Sequence, residues 1–181
     1  MDNRYKYLIK NTGILTISSF STKILTFLMV PLYTSVLTTE EYGTYDLAVS
    51  TVSLLIPILS VNIVDGVMRY SMDSRYDRAD IFSIGLRRIS VATFIFAAIL
   101  AFNSIFQITS VFAGKELLIL LYFISTLLYS LLTQFAKGCE AVKQMAIAGI
   151  ISTICLVGTN ILLLLVFKLG VTGFFIASCA S

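Results

Sequence analysis

Apolar residues run along this chain in long blocks separated by short polar punctuation. A block of roughly 20 apolar residues is enough for a helix to cross a bilayer. The first block extends from Asn11 to Leu37, and others run from about Tyr45 to Val64, Ile81 to Phe106, Leu117 to Phe135 and Met145 to Phe167. A last one, Val171 to Ser181, supplies about half of a crossing. The pattern predicts an all-α, polytopic transmembrane helix bundle forming one unit over residues 1–181. It has five complete spans and a truncated sixth, as expected of a piece of a longer membrane protein. Between the first two spans, Thr38 to Gly43 read as a short polar turn. Asp65 to Asp80 read as a charged loop, the longest connection, too short to hold a soluble domain.

Polar positions inside the blocks fall on stripes. At about 100° per residue, Thr12, Thr16, Ser19, Thr22, Lys23 and Thr26 gather on one face of the first span. Lys23 is the anomaly, because a lysine near mid-bilayer costs roughly 3 kcal/mol on insertion scales. It is therefore expected to face a cavity or a partner. The second span repeats the stripe with Asp46, Ser50, Ser53, Pro57 and Ser60, and the fourth with Tyr122, Thr126, Ser130, Thr133, Lys137 and Glu140. Such hydroxyls either join helices or line a hydrated cavity. Ser83, Ser90, Thr93, Ala97, Ala101 and Ser104 make a small-residue face on the third span, expected to pack. Gly149, Thr153 and Asn160 share a side of the fifth, with Asn160 expected to join neighbouring helices. Pro31 and Pro57 should bend their spans.

Composition agrees with a membrane location. Apolar residues make up 57% of the chain and charged ones 13%, against about 25% charge in soluble domains. Cys139, Cys155 and Cys179 have no metal-ligand spacing and there is no histidine. No metal, cofactor or catalytic constellation is therefore expected. The retained first span, interrupted by Lys23, does not fit a cleaved signal.

Charge placement sets the orientation. Arg4, Lys6 and Lys10, then Arg69, Arg75, Arg78, Arg87 and Arg88, then Lys137 and Lys143 fall on one side if five spans alternate. Only Lys115 and Lys168 fall on the other. The excess of basic residues predicts a cytosolic N-terminus. Tyr5, Tyr7, Tyr33, Tyr42, Tyr45 and Tyr70 lie near span ends, as interfacial anchors would. Asp65 and Arg69 are spaced to pair on one helical face. Arg69 also suits an anionic headgroup, since its guanidinium fork matches phosphate.

The segment Leu37 to Tyr45 (Leu-Thr-Thr-Glu-Glu-Tyr-Gly-Thr-Tyr), Pro31-Leu32-Tyr33 and Asp65 to Tyr70 (Asp-Gly-Val-Met-Arg-Tyr) carry a resemblance. They look like the corresponding parts of bacterial Wzx-type O-antigen and capsule flippases of the multidrug/oligosaccharidyl-lipid/polysaccharide exporter superfamily. The resemblance implies two six-helix lobes around a cavity, this chain supplying most of the first, with alternating access and no enzymatic step. The implied substrate is an undecaprenyl-pyrophosphate-linked oligosaccharide moved across the bacterial cytoplasmic (inner) membrane. The implied partners are membrane lipid and glycan-assembly proteins, and no nucleic acid. Lys23 matches the position of a first-helix arginine in related lipid II flippases. Candidate substrate-binding residues are then Lys23, Arg69, Thr16, Ser19, Thr26, Ser53, Thr126 and Ser130, with Asp46 and Asp65 as ion-coupling candidates. A drug or toxin extruder of the same superfamily is the main rival, against which the cationic Lys23 counts. A membrane-embedded glycan polymerase or ligase is a further alternative.

Overall fold

The computed structural model describes residues 13, 16, 20, 23, 24, 27, 30, 31, 33–107, 109 and 112–180. Every described position from 13 to 36 is helical. Six helices follow: α1 (Thr39–Ser60), α2 (Ile63–Ser71), α3 (Arg78–Phe106), α4 (Glu116–Gly138), α5 (Val142–Ile161) and α6 (Gly170–Ala180). A π-helical turn, Leu162–Val166, extends α5. No strand occurs among the described residues.

Four helical stretches among the described residues are long and apolar enough to cross a membrane. They are Thr39–Ser60, Arg78–Phe106, Glu116–Gly138 and Val142–Val166, and Gly170–Ala180 is a shorter apolar helix. About half of the expected first span, Asn11 to Leu37, falls outside the described residues, and its described positions from 13 to 36 are helical. The count of five complete spans is thus matched by four, with the short α6 where a sixth was expected.

The expected turn at Thr38–Gly43 is instead the start of α1. Thr38 Oγ1 accepts the Glu41 amide at 3.2 Å and Glu41 Oε2 accepts the Thr38 amide at 3.0 Å. This reciprocal box satisfies helix-end donors, and Glu40 and Glu41 complement the positive end of the helix dipole. The other end of α1 breaks sharply. Val61 and Asn62 both take left-handed conformations, with φ of 53° and 48°, and their amides donate back to Ile58 and Pro57 carbonyls. Left-handed backbone is costly for a β-branched residue such as valine.

Beyond that break, the expected loop from Asp65 is corrected: its first part is α2, and the true connection is 72–77. Val64, Val67 and Ser71 recur at helical spacing and are buried. Close approach to neighbouring helices fixes α2 in place. A Cβ at Gly138 of α4 would lie 2.6 Å from Ser71 Cβ and 2.7 Å from the Met68 carbonyl oxygen. A Cβ at Gly85 of α3 would lie 2.7 Å from Leu131 Cδ1 and 2.9 Å from Val67 Cγ2. Small residues permit such packing in membrane bundles, where there is little hydrophobic drive between helices.

The core centres on Phe96 of α3 and Phe123 of α4, stacked with centroids 4.3 Å apart, with Ala48, Val52, Leu127 and Phe175 buried around them. The buried face of α3 is therefore Ile81, Gly85, Ile89, Ala92, Phe96 and Leu100. The small-residue face expected to pack is not that face. Ser83, Ser90, Ala101 and Ser104 are exposed, and the Ser83 and Ser90 hydroxyls donate to their own helix at Ala79 and Leu86. Larger side chains fill the interhelical space with more dispersion contacts. Two tyrosines expected as interfacial anchors also turn inward. Tyr33 is buried, and both Tyr33 and Tyr45 meet the Phe174 ring edge-on, at 4.2 and 3.8 Å. Asn160, expected to join helices, instead donates to Leu156 of its own helix at 3.0 Å. The next turn is the π-helical one, where the local hydrogen-bond pattern already departs from i→i−4.

Candidate functional site

Two places in the bundle concentrate polar chemistry. The first is the end that carries α2 and the 72–77 connection. Asp65 was expected to pair with Arg69, one turn on. It is taken instead by two amides: Asn62 Nδ2 donates to one carboxylate oxygen at 2.8 Å and Gln134 Nε2, from α4, to the other at 2.7 Å. The amide stems are short and anchored on packed backbone, whereas holding an exposed arginine costs side-chain entropy. Arg69 consequently stands exposed and forms no ion pair among the described residues.

In the connection, Arg75 grips Asp73 with a 2.6 Å ion pair and a second bond from Nε. Arg75 is exposed and Asp73 half-buried, and the Arg75 guanidinium holds the Asp73 carboxyl below the usual carboxylate range. Asp77 caps α3 by accepting the Ala79 amide at 2.9 Å. Arg87 and Arg88, one to two turns further into α3, are exposed.

The second place is a groove of about 470 Å³ walled by α4, α5 and α6 and reached by Tyr45 of α1. Tyr122, Ser125, Thr126 and Tyr129 come from α4, Ser152 from α5 and Ser178 from α6. Among the described residues, no charged side chain lines it. Thr126 Oγ1 donates to the Tyr122 carbonyl at 2.8 Å, and Ser178 Oγ to the Phe174 carbonyl at 2.9 Å. Tyr45 and Ser178 share a side-chain hydrogen bond across α1 and α6.

The residues singled out from sequence do not converge on one point. Thr126 lies in the groove, while Ser130 is half-buried on α4 outside it. Ser53 and Asp46 are on the exposed side of α1, away from buried Ala48 and Val52. Lys23 and Thr16 are helical and exposed, and neither they nor Arg69 line the groove. Ser19 and Thr26 lie outside the described residues. Asp65 sits at the α2–α4 contact described above. The groove residues that sequence reasoning missed are Tyr45, Ser125, Tyr129, Ser152 and Ser178. On α4 a signal existed, because Tyr122, Ser125 and Tyr129 recur at three- and four-residue steps on one face. No set of three or more His, Cys, Asp or Glu side chains that could hold a metal occurs among the described residues.

Among the described residues, an all-helical bundle with four helices long and apolar enough to cross a membrane, one arginine-bearing end and a hydroxyl-lined groove defines the class: a multi-span membrane protein. Its family follows from comparison, since the family model described as "Polysaccharide biosynthesis protein" matches residues 8–181. The chain belongs to that family. No curated protein and no solved structure matches it.

Proposed function

We propose that the protein is a flippase that moves a polyprenyl-pyrophosphate-linked oligosaccharide across the bacterial cytoplasmic membrane for surface polysaccharide assembly. Membership of the polysaccharide biosynthesis family and the membrane-crossing helices support a transport role in that pathway. The observation that carries the reading to a lipid pyrophosphate is the free Arg69. Asp65 is satisfied by Asn62 and Gln134, so the guanidinium one turn away remains available to an anion. Its fork geometry matches phosphate oxygens, and at a membrane interface such a contact is charge-assisted.

In this reading the arginine-bearing end faces the cytosol, as the excess of basic residues favours. Arg69 meets the pyrophosphate there, and Lys23 on the leading helical segment offers the next positive charge within the bilayer. Thr16, Ser19, Thr26, Ser53, Thr126 and Ser130 supply hydroxyls along the route, and Asp46 and Asp65 are the acidic groups available for ion coupling. No bond is made or broken in the substrate.

Reconstitution into liposomes tests the proposal. With a fluorescent polyprenyl-pyrophosphate-linked oligosaccharide, the wild-type protein should speed transfer between leaflets, and Lys23→Ala should slow it about tenfold, the loss of roughly 1.4 kcal/mol of charge pairing. Transfer equal to that of protein-free liposomes, or unaffected by Lys23→Ala, contradicts the assignment.

A further inference from the structure

The short helix α2 lies beyond the end of the membrane-crossing stretch Thr39–Ser60. Between it and the start of α3 is a cavity of about 360 Å³, lined from α2 by Ile63, Gly66 and Tyr70, from the connection by Tyr76 and from α3 by Ile81 and Ile84. Among the described residues that line it, the two tyrosine hydroxyls are the only polar side-chain groups. Its volume is in the roughly 300–1,000 Å³ range of small-molecule sites. Gly66 keeps it open. A Cβ there would meet only Ile63 Cδ1, at 3.9 Å, whereas a Cβ at Gly85 or Gly138 would collide with a neighbouring helix. The apolar walls also reach the surface: Tyr70 and Tyr76 meet edge-on with centroids 5.5 Å apart, and both rings are half exposed.

Charge stands at one end of this cavity. Ile63 and Tyr70 are about 10 Å apart along the helix at 1.5 Å per residue. Arg69 belongs to the Tyr70 end, three residues from Gly66 on adjoining helix surface. It is exposed and has no ion pair among the described residues. The acids nearby are engaged elsewhere. Asp65 accepts from Asn62 and Gln134, Asp73 from Arg75, and Asp77 caps α3. Asp80 lies in the first turn of α3, where it complements the positive end of that helix. The order along α2 is therefore apolar beside the membrane-crossing stretch and cationic beyond it.

A ligand of matching shape carries an anionic head outward and a hydrocarbon chain back toward the bilayer. One cavity suits one chain. A chain that followed its head out to Arg69 without cover would expose apolar surface to water, and the cavity walls remove that cost.

We infer that this cavity holds the head-proximal part of the isoprenoid chain of the lipid whose pyrophosphate meets Arg69. The inference rests on the flippase reading for the identity of the lipid. It adds a hydrocarbon site on a helix outside the membrane-crossing stretches, and makes recognition depend on a single chain as well as on charge. A two-chained phospholipid at Arg69 would leave one chain uncovered.

Photolabelling of the protein in nanodiscs tests this with three probes. The first is an isoprenyl pyrophosphate with a diazirine on its second isoprene unit, the second is the isoprenyl alcohol with the same diazirine, and the third is phosphatidylglycerol with a diazirine at the same distance from its head. At equal mole fraction in the membrane, the first should label residues 70–84 of the wild type about tenfold more than either of the others, a preference of the size expected for burying a few methylene groups beside a matched charge. Gly66→Leu fills the cavity where the backbone leaves room, and Ile84→Asn places an amide in it at a position that is 55% exposed. Each should cut labelling by the first probe about three- to tenfold, and Arg69→Ala should lower it to the level of the alcohol.

Equal labelling of this segment by the pyrophosphate and the alcohol overturns the inference. So does equal labelling by the pyrophosphate and phosphatidylglycerol, or labelling that neither cavity variant changes. Leaflet transfer is measured on the same protein. Cavity-dependent labelling without transfer would remove the flippase reading and leave the chain site standing, whereas transfer with labelling that ignores Gly66→Leu and Ile84→Asn would do the reverse.

Discussion

The arginine-bearing end and the hydroxyl groove solve the same problem, polar groups in a largely apolar bundle, in opposite ways. At the end, carboxylates are held by charge-assisted bonds, Asp65 to Gln134 at 2.7 Å and Asp73 to Arg75 at 2.6 Å. Those bonds engage Asp65 and Asp73 and leave Arg69 without an ion pair among the described residues. In the groove, the Thr126 and Ser178 hydroxyls donate to carbonyls four residues back on their own helices. One region is left with spare positive charge and the other with neutral hydroxyls bonded within the bundle. The two should respond differently to salt. Salt screens interactions between exposed charges, largely so beyond a Debye length of about 8 Å at physiological ionic strength, and has little effect on neutral hydrogen bonds.

The strongest way to break this contrast is to dislodge α2, which presents Arg69. Gly138→Ala places a methyl within 2.7 Å of the Met68 carbonyl oxygen, backbone that cannot swing aside. Such overpacking should cost about 1–3 kcal/mol, read as a lowered midpoint in denaturant titration of the solubilised protein. Tyr129→Ala in the groove should leave that midpoint nearly unchanged, because the side chain is 46% exposed.

Gln134→Ala comes next. It removes the amide that reaches Asp65 and should cost about 1.5–3 kcal/mol, the worth of a hydrogen bond to a charged group. It should also let Asp65 turn to Arg69, so anion binding should fall with it. A Gln134→Ala protein that binds pyrophosphate lipid as well as wild type would show that Asp65 does not govern Arg69.

Thr38→Ala removes the cap of α1 and should cost about 1 kcal/mol, detectable as a lower thermal midpoint.

The smallest effect is expected at Asp73. Its folded carboxyl is held below the usual range by Arg75, so whatever order the pair gives the connection is present above the ordinary carboxylate pKa and is lost as pH falls through the lowered value. Because Arg75 is exposed and the pair lies in a surface connection, Asp73→Asn should speed hydrogen exchange at the Arg75 amide without moving the thermal midpoint.

The local features of this fold could be read from sequence more readily than its long-range ones. The blocks that become α3, α4 and α5 are visible as apolar runs. The start of α1 was also available, since Thr38 and Glu41 stand in the spacing of a capping box. It was missed because the polar cluster that caps the helix also reads as a turn. The left-handed pair Val61–Asn62 gave no such sign, because valine is disfavoured there and only tertiary packing imposes it. The partner of Asp65 was hidden for a different reason. Arg69 is four residues away and Gln134 is 69 residues away, and only the packing of α2 on α4 decides between them. The groove shares that dependence: Thr126 was singled out on its stripe, but Ser152 and Ser178 join it only through the docking of α5 and α6.

The most direct measurement of the part Arg69 plays is leaflet transfer in liposomes, comparing Arg69→Ala with Arg69→Lys at low and high salt. If Arg69 receives the pyrophosphate, Arg69→Ala should slow transfer about tenfold at low salt. Arg69→Lys should recover part of the rate, keeping the charge without the fork, and the gap between wild type and Arg69→Ala should narrow as salt rises. Transfer by Arg69→Ala at the wild-type rate, with the same salt dependence, would contradict it.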